Sequence, residues 1–495
     1  MSATYDKDLQ SIQEARQLAV ACRNAQREFA HFSQEEVDRV VAAMADAGYR
    51  AAERLGVMAH DETGYGVPSH KKLKNEFASR TVWESIRDVK TAGVIRRDDA
   101  RGIVEIGWPV GVIVGLTPST NPTSTILYKS LIALKARNGI VFAPHPSAVK
   151  CSLETTRIMA EAAQHAGAPA GLLACMSKIS LPGTHELMGH WAVNLILATG
   201  GAAMVKAAHS AGKPAYGVGP GNVPVYVDRS ADVPQAAFDI VNSKSFDCSV
   251  ICSSEQAVVA DRPIAAQLRR EMERNGAYFV DQARADALGR RLFRPDGTNW
   301  PEVVGKTPQQ LAEMSGIQVP GDARALVADL NAVGPEHPLS REKLTTVLGF
   351  YEEEGWIKGC ERCIELLKFG GDGHTLAIHA QDEEVIMAFG LEKPAFRIVV
   401  NTAATAGAIG LTTDLDPAMT LATGGMGGGI SSDNITVRHL LNTKRLAYGR
   451  RPWPLKAEAK RRPQATRPAP TATGGYSEAE VEAIVRRVVR ELRGG

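Results

Sequence analysis

The chain has 495 residues, 44% of them hydrophobic, which leaves room for about three domains with ordinary cores. A formal charge of +2 gives no electrostatic case for nucleic acid or anionic lipid, and no apolar run is long enough to span a bilayer. The charged start MSATYDKDLQ is not a secretory leader and seven scattered cysteines suit a reducing compartment, so the expectation is a soluble cytoplasmic protein with no nucleic-acid or membrane partner.

In chain order, Leu9, Ile12, Leu18, Ala19 and Cys22 recur at helical spacing between Asp8 and Phe29. A second helix is expected after Ser33, with Glu35 and Glu36 in its first turn, and helical, charged sequence continues to about Val89. These helices read as packing elements without chemistry. At Trp108 the texture changes. Pro109 to Leu116 is a β-branched run that ends in TPSTNPTST (Thr117 to Thr125). A helix from Ile126 to Arg137 and a strand from Gly139 to Ala143 follow, the strand stopping at Pro144-His145-Pro146. Strand, helix and strand at this spacing make a βαβ unit and a parallel sheet. After a helix from Ser152 to His165, a third strand, Ala192 to Ala198, runs into Thr199-Gly200-Gly201 and a helix from Ala202 to His209. Glycines before a helix N-terminus can hold a phosphate. The full G-x-G-x-x-G pattern is absent, however, and a ligand-free tight turn has the same appearance.

The segment Ser243 to Gln256, SKSFDCSVICSSEQ, holds Cys248 and Cys252 among small polar residues just before the apolar run Ala257-Val258-Val259. Free cysteine normally packs as a small hydrophobe, so this setting suits a nucleophile placed before a strand; two packed thiols at a turn are the alternative. From Asp261 helices and strands alternate again: Ala265 to Arg274, Thr345 to Phe350, Trp356 to Phe369, turns and strands in Gly370 to Ala380 and Phe396 to Val400, and a return near Thr436 to Tyr448. His185, Glu186 and His190 miss the zinc-protease spacing, because the second histidine falls at i+5 and not i+4. Cys360 and Cys363 form a CxxC with no second pair nearby and read as an ordinary helix. The run Gly424 to Gly429 is too permissive to name a ligand.

Beyond Tyr448, residues 451–475 carry five of the 26 prolines among Ala, Thr, Lys and Arg and read as a mobile linker. Residues 476–495 then read as a short helix. Ser477 and Glu480 form a capping box, and Val481, Ile484, Val485, Val488, Val489 and Leu492 make one apolar stripe. A tethered helix with an apolar face suggests a docking partner; self-association or packing back on the parent chain is the alternative.

With PSTNPTST, PHP, ATGG, GVGPGN (Gly217 to Asn222), FDCSVICSSEQ, EKL (Glu342 to Leu344) and GGMGGG in hand, residues 1–450 resemble the aldehyde dehydrogenase superfamily, and within it the CoA-acylating branch of acetaldehyde and propionaldehyde dehydrogenases. The resemblance implies an α/β fold. Residues 1–230 would form a Rossmann-type NAD-binding domain, 231–430 an α/β catalytic domain carrying the thiol, and 431–450 a small return or oligomerisation element. It makes Cys252 the nucleophile and gives Asn121 the developing oxyanion. Thr117, Pro118, Thr199, Gly200, Gly201, Val218 and Gly219 would line the NAD site, with His145 by the adenosine ribose and Glu342 on the nicotinamide ribose. Hydrolytic relatives carry a water-activating glutamate before a Gly-Gly pair; here Tyr216 to Asn222 has no carboxylate. Without that base the acyl-enzyme should await a thiol, coenzyme A.

The expected reaction is therefore NAD-dependent oxidation of a short aldehyde, propionaldehyde ahead of acetaldehyde, to acyl-CoA. Sulfoacetaldehyde or succinic semialdehyde is an alternative substrate, a phosphorylating semialdehyde reductase an alternative enzyme, and an inactive shell-bound scaffold an alternative of another class. The tail resembles encapsulation peptides of bacterial microcompartment cargo, which implies shell or cargo partners for 476–495 and a location inside such a compartment. The family implies a homodimer or homotetramer.

Overall fold

The structure, a computed structural model, describes residues 6–451, Trp453 and 478–493. The first quarter is helical: α1 (Lys7–Phe29), α2 (Gln34–Arg50), α3 (Ala52–Thr63), α4 (Pro68–Glu76) and α5 (Val82–Ile86). Ser33 caps α2 reciprocally, its hydroxyl accepting from the Glu36 N–H while the Ser33 N–H donates to the Glu36 carboxylate at 2.8 Å. Between α4 and α5 the helix widens into a π turn, Phe77–Thr81. Then comes a hairpin without a periodic apolar signal, β1 (Gly93–Asp98) and β2 (Ile103–Pro109).

Two parallel sheets form the body. The first holds β3 (Val112–Thr117), β4 (Gly139–Pro144), β5 (Leu173–Cys175), β6 (Leu195–Thr199) and β7 (Ala215–Val218), in the order β5-β4-β3-β6-β7. Its helices are α6 (Pro122–Lys135), α7 (Val149–His165), α8 (Leu181–Gly189) and α9 (Ala202–His209). Every residue of β3 and β4 is buried, as strands covered on both faces require. The chain winds one way from β3 to β5 and the other way from β6 to β7, so a topological switch lies between β3 and β6. Buried Lys129 spans it, donating to the Leu116 carbonyl at 2.7 Å and the Leu197 carbonyl at 2.9 Å.

The second sheet has seven strands: β8 (Val223–Val227), β9 (Glu255–Asp261), β10 (Ala277–Val280), β11 (Ala325–Asp329), β12 (Val347–Glu353), β13 (Gly373–His379) and β14 (Ala395–Val400), ordered β10-β11-β12-β9-β8-β13-β14. Around it lie α10 (Val233–Ser245), α11 (Arg262–Arg274), α12 (Gln282–Leu292), α13 (Pro308–Ser315), α14 (Gly355–Gly370), α15 (Glu383–Glu392) and α16 (Ala404–Ala408). The strand β15 (Leu441–Ala447) returns to pair antiparallel with β2, closing a third, three-stranded sheet. The last described element is α17 (Glu478–Arg493).

The α/β class and parallel sheets agree with the expectation, and several boundaries move. The strand expected from Pro109 starts at Val112, because Pro109 already ends β2 and Gly111 turns the chain at φ +128°. The helix expected from Ile126 starts at Pro122, whose missing N–H suits a first turn, and it stops at Lys135 before left-handed Arg137. The strand expected at 192–198 covers Leu195–Thr199, and that at 345–350 covers Val347–Glu353. The change of sheet falls between Val218 and Val223, ahead of the division expected at 230. Glu186, of the rejected zinc pattern, pairs with Arg16 at 2.8 Å, and Cys360 and Cys363 lie buried on α14. Ser477 and the linker 451–475, apart from Arg451 and Trp453, lie outside the described residues. Of the apolar stripe on α17, Ile484 and Val485 are exposed. The side chains of Val488, Val489 and Leu492 also lie outside the described set. Among the described residues no helix is long and apolar enough to cross a membrane.

Candidate active site

The carboxyl ends of β3, β4, β6 and β7 bring Thr117, Pro118, His145, Thr199, Gly200, Gly201, Val218 and Gly219 to one edge of the five-stranded sheet, at the switch where such folds bind ligands. The edge is open. A Cβ at Gly201 or Gly219 would meet nothing within 4 Å, and one at Gly200 would meet only Met204. Gly201 starts α9 with no side-chain cap, leaving the first N–H groups of the helix to face whatever enters. The Thr117 hydroxyl is buried without a partner, and Thr199 Oγ1 lies 3.3 Å from Thr420 Oγ1. His145 Nδ1 accepts from the Ser147 N–H at 3.2 Å, so the neutral ring carries its proton on Nε2. These features fit a dinucleotide: unpartnered donors, an uncapped helix start and glycines with room above them.

Cys252 lies in the loop between α10 and β9, at the seam of the two sheets. Gly221 packs on it so closely that a Cβ there would lie 2.2 Å from the Cys252 carbonyl oxygen and 3.1 Å from His374 Cε1. The loop begins with three successive non-glycine residues in the left-handed region, Asp247 (φ 48°), Cys248 (φ 53°) and Ser249 (φ 64°). Each costs roughly 1–2 kcal/mol, and such residues persist only where their surroundings over-determine them. Those surroundings are α4 and the turn before it. Asp247, fully buried, accepts from the Val67 N–H at 2.6 Å, from Lys71 Nζ at 3.1 Å and from Lys74 Nζ. Its own N–H donates to His70 Nδ1 at 2.9 Å, and the His70 ring stacks on Phe246. Gly66 makes this approach possible: its φ is +70°, and a Cβ would fall 2.0 Å from Asp247 Oδ1. Burial alone pushes the Asp247 carboxyl up, but Lys74 and Lys71 outweigh it and hold it below the usual value.

Asn121, at the start of α6, reaches across to this loop. Its amide donates to the Val250 carbonyl at 2.9 Å and to Thr120 Oγ1 at 3.2 Å, while its oxygen accepts from Lys74 Nζ. The amide is thus presented two residues before Cys252, and one of its N–H groups must change partner to receive an oxyanion. Burial pushes the Cys252 thiol up to about 12, with Glu342 adding to the rise and Arg397 opposing it. Glu342 accepts from the Gly221 N–H at 2.8 Å, and burial raises it to about 7.

Two groups here carried no sequence signal strong enough to name. His374 opens β13, is fully buried and neutral (burial, then Arg397, lowers it to about 3), and has Nδ1 2.9 Å from Thr375 Oγ1 and no partner on Nε2. Arg397 donates to the carbonyls of His374, Ala422, Ser432 and Asp433 and to Asn434 Oδ1, which commits its guanidinium to the structure. In GGDGHTLAIHA the histidine sits beside glycines that read as a turn. Cys248 is buried, and burial, then Asp247, raises its thiol to about 11.

A model of the aldehyde dehydrogenase family matches residues 5–278. Aldehyde-alcohol dehydrogenase 2 of Entamoeba histolytica is 43% identical over 425 residues, 84% of this chain and 49% of that protein. The chain thus spans about half the length of the curated relatives it matches first. Among solved structures, an acetylating aldehyde dehydrogenase from Geobacillus thermoglucosidasius is 49% identical with a TM-score of 0.90, covering 91% of this chain and 100% of its own. A propionaldehyde dehydrogenase from the fucose utilisation bacterial microcompartment of Clostridium phytofermentans is 28% identical, with a TM-score of 0.80 over 88% of this chain and 97% of its own. The propionaldehyde dehydrogenase of Rhodopseudomonas palustris, with bound CoA and an acylated cysteine, is 29% identical, with a TM-score of 0.78 over 88% of this chain and 97% of its own.

Proposed function

The chain belongs to the aldehyde dehydrogenase family, and we propose that within it the chain oxidises a short, uncharged aldehyde to its CoA thioester through a Cys252 acyl-enzyme. One observation carries this reading: the segment packed against the Cys252 backbone, Tyr216 to Asn222, supplies a glycine and no carboxylate. The acyl-enzyme then lacks the water-activating base that hydrolysis needs. The solved relatives with CoA or an acylated cysteine support the same reading.

NAD would be held by Thr117, Pro118, Thr199, Gly200, Gly201, Val218 and Gly219, with His145 and Glu342 toward its riboses, and would supply the hydride acceptor. The chain's own residues do the rest. Cys252 Sγ, as thiolate, adds to the aldehyde carbon, and the oxyanion of the hemithioacetal takes an N–H from Asn121. Loss of hydride from that carbon leaves a thioester on Cys252. The CoA thiol, part of it already thiolate near neutral pH, gives up its proton to solvent and attacks the acyl carbon. Cys252 leaves as thiolate. The balance is aldehyde, CoA thiol and NAD in; acyl-CoA, NADH and one proton out.

Substrates with an anionic far end, sulfoacetaldehyde or succinic semialdehyde, would need a free cation in the pocket. The arginine that reaches the Cys252 field, Arg397, already donates to five acceptors, which favours uncharged aldehydes: propionaldehyde, then acetaldehyde. The microcompartment setting of a structural relative and the helix α17 support a docking role for 476–495 toward shell or cargo proteins, and the family supports a homodimer or homotetramer. A panel of aldehydes with NAD or NADP, with and without CoA, tests the reading. NADH formation should require both CoA and Cys252, and turnover that ignores CoA or survives Cys252→Ala refutes it.

A further inference from the structure

We propose that Lys74 is a positioning residue for the oxyanion donor: by binding the oxygen of Asn121 it turns the amide N–H groups toward the Cys252 loop. The inference rests on the acyl-transfer reading above. Helix α4 carries Lys71 and Lys74 one turn apart on its buried face, with side chains 3% and 2% exposed. Both reach Asp247 at the head of the strained loop. Each also reaches the other loop of the site, Lys71 the Thr120 carbonyl at 3.1 Å and Lys74 the Asn121 side chain. The ammonium of lysine only donates. The Asn121 atom it meets must therefore be the oxygen, and the NH2 group must be the end that meets the Val250 carbonyl at 2.9 Å and Thr120 Oγ1 at 3.2 Å. An asparagine side chain can otherwise be turned end for end at little cost. One buried cation thus holds the donor from the five-stranded sheet and the nucleophile's loop from the seven-stranded sheet in register. Its own contacts do not include the thiol or the open cofactor edge.

The test uses the full chain with propionaldehyde, NAD and CoA. CoA-dependent NADH formation by the unsubstituted protein is the control, and its absence would sink the functional reading and not this one. Lys74→Met removes every donor at this point and is expected to lower kcat on the order of 100-fold, with the KM for NAD and CoA changed less than about threefold. Lys74→Gln restores an uncharged donor to the Asn121 oxygen and is expected to recover about tenfold of that loss. Because Lys74 acts through Asn121, adding Lys74→Met to Asn121→Ala should cost less than about threefold more. Alkylation of Cys252 by iodoacetamide needs no oxyanion donor and should keep its rate. Full multiplication of the two losses, a shifted alkylation rate, or near-native kcat in Lys74→Met overturns the proposal. Should Lys74→Met not fold, Lys74→Met with Asp247→Asn, which removes one charge of each sign and leaves Lys71 as the remaining ammonium, carries the same comparisons. If neither variant folds, the cluster is structural and the proposal fails.

Discussion

Gly221→Ala is the sharpest perturbation the site offers. The residue is buried, and its φ is not in the left-handed region, so an added methyl introduces no backbone strain and acts through space alone. That methyl would stand 2.2 Å from the Cys252 carbonyl oxygen, about 0.8 Å inside the 3.0 Å that real Cβ atoms essentially never cross. The obstacle is backbone, which cannot rotate away as a flexible side chain would. Either the Cys252 loop or the 216–222 segment must therefore move by most of an ångström. Overpacking of this kind costs roughly 1–3 kcal/mol of stability, and displacing a reacting group by about 1 Å costs on the order of 100-fold in rate. The same shift pulls the Gly221 N–H from Glu342 and crowds His374 Cε1, already 3.1 Å from the added carbon. Pre-steady-state NADH formation measures the first half-reaction, CoA-dependent turnover the whole cycle, and thermal melting the stability. Loss in both rates with a modest drop in melting temperature is expected. Native rates with an unchanged melting temperature would refute the packing of Gly221 on the nucleophile, and with it the argument that this segment decides what can approach the acyl group.

Three further outcomes follow from the charges. Since Cys252 lies at about 12, its alkylation in the cofactor-free protein should keep rising between pH 7 and pH 9.5 without a plateau, and Glu342→Gln, by removing a carboxylate that raises the thiol, should speed alkylation at pH 8.5. A plateau near pH 7, or slower alkylation in the variant, contradicts this. Asp247 is held below the ordinary carboxyl value, so its stabilisation is complete above the unfolded value of about 3.9 and is lost as pH falls through the folded value. Asp247→Asn should cost about 3–5 kcal/mol at pH 7, because it leaves two buried ammonium groups facing a neutral amide, and the gap to the unsubstituted protein should narrow as pH drops below 4; denaturant melts across pH check both. Cys248→Ala should keep steady-state turnover within about threefold, since that thiol is buried and is not assigned to the chemistry.

What was legible was whatever repeats or punctuates. The Ser33 cap, the β-branched run of β3, the strand–glycine–helix junction at Thr199 and the polar cysteine segment before β9 all announce themselves by local rules. The hairpin β1–β2 did not, because its strands lie on a small, half-exposed sheet and read GVIRRD and IVEIGWP, with charge where a buried strand would alternate. The lysines of α4 were missed for a related reason. HKKLK in a polar helical stretch looks like a solvated face, yet Lys71 and Lys74 are buried while Lys72 reaches out to Glu53. Their spacing of three was the available signal, and only the carboxylate 173 residues away, Asp247, gives it meaning. Long-range pairing of charges is not written in any local window. His374 belongs to the same class, a core position whose role depends on a glycine 153 residues earlier in the chain.

Glu342 is the carboxylate that electrostatics places beside the sulfur, and the case for thiol transfer has to survive it. Burial raises it to about 7, so at neutral pH about half of it is ionised and able to take a proton. One oxygen is already engaged by the Gly221 N–H. Where it is ionised, it raises the Cys252 thiol, opposing formation of the nucleophile in the first half-reaction. A base that served hydrolysis would therefore suppress the step that creates its substrate. Coenzyme A needs no carboxylate at all: part of its thiol is already thiolate near neutral pH and is a better nucleophile than water, so its attack needs no base in the site.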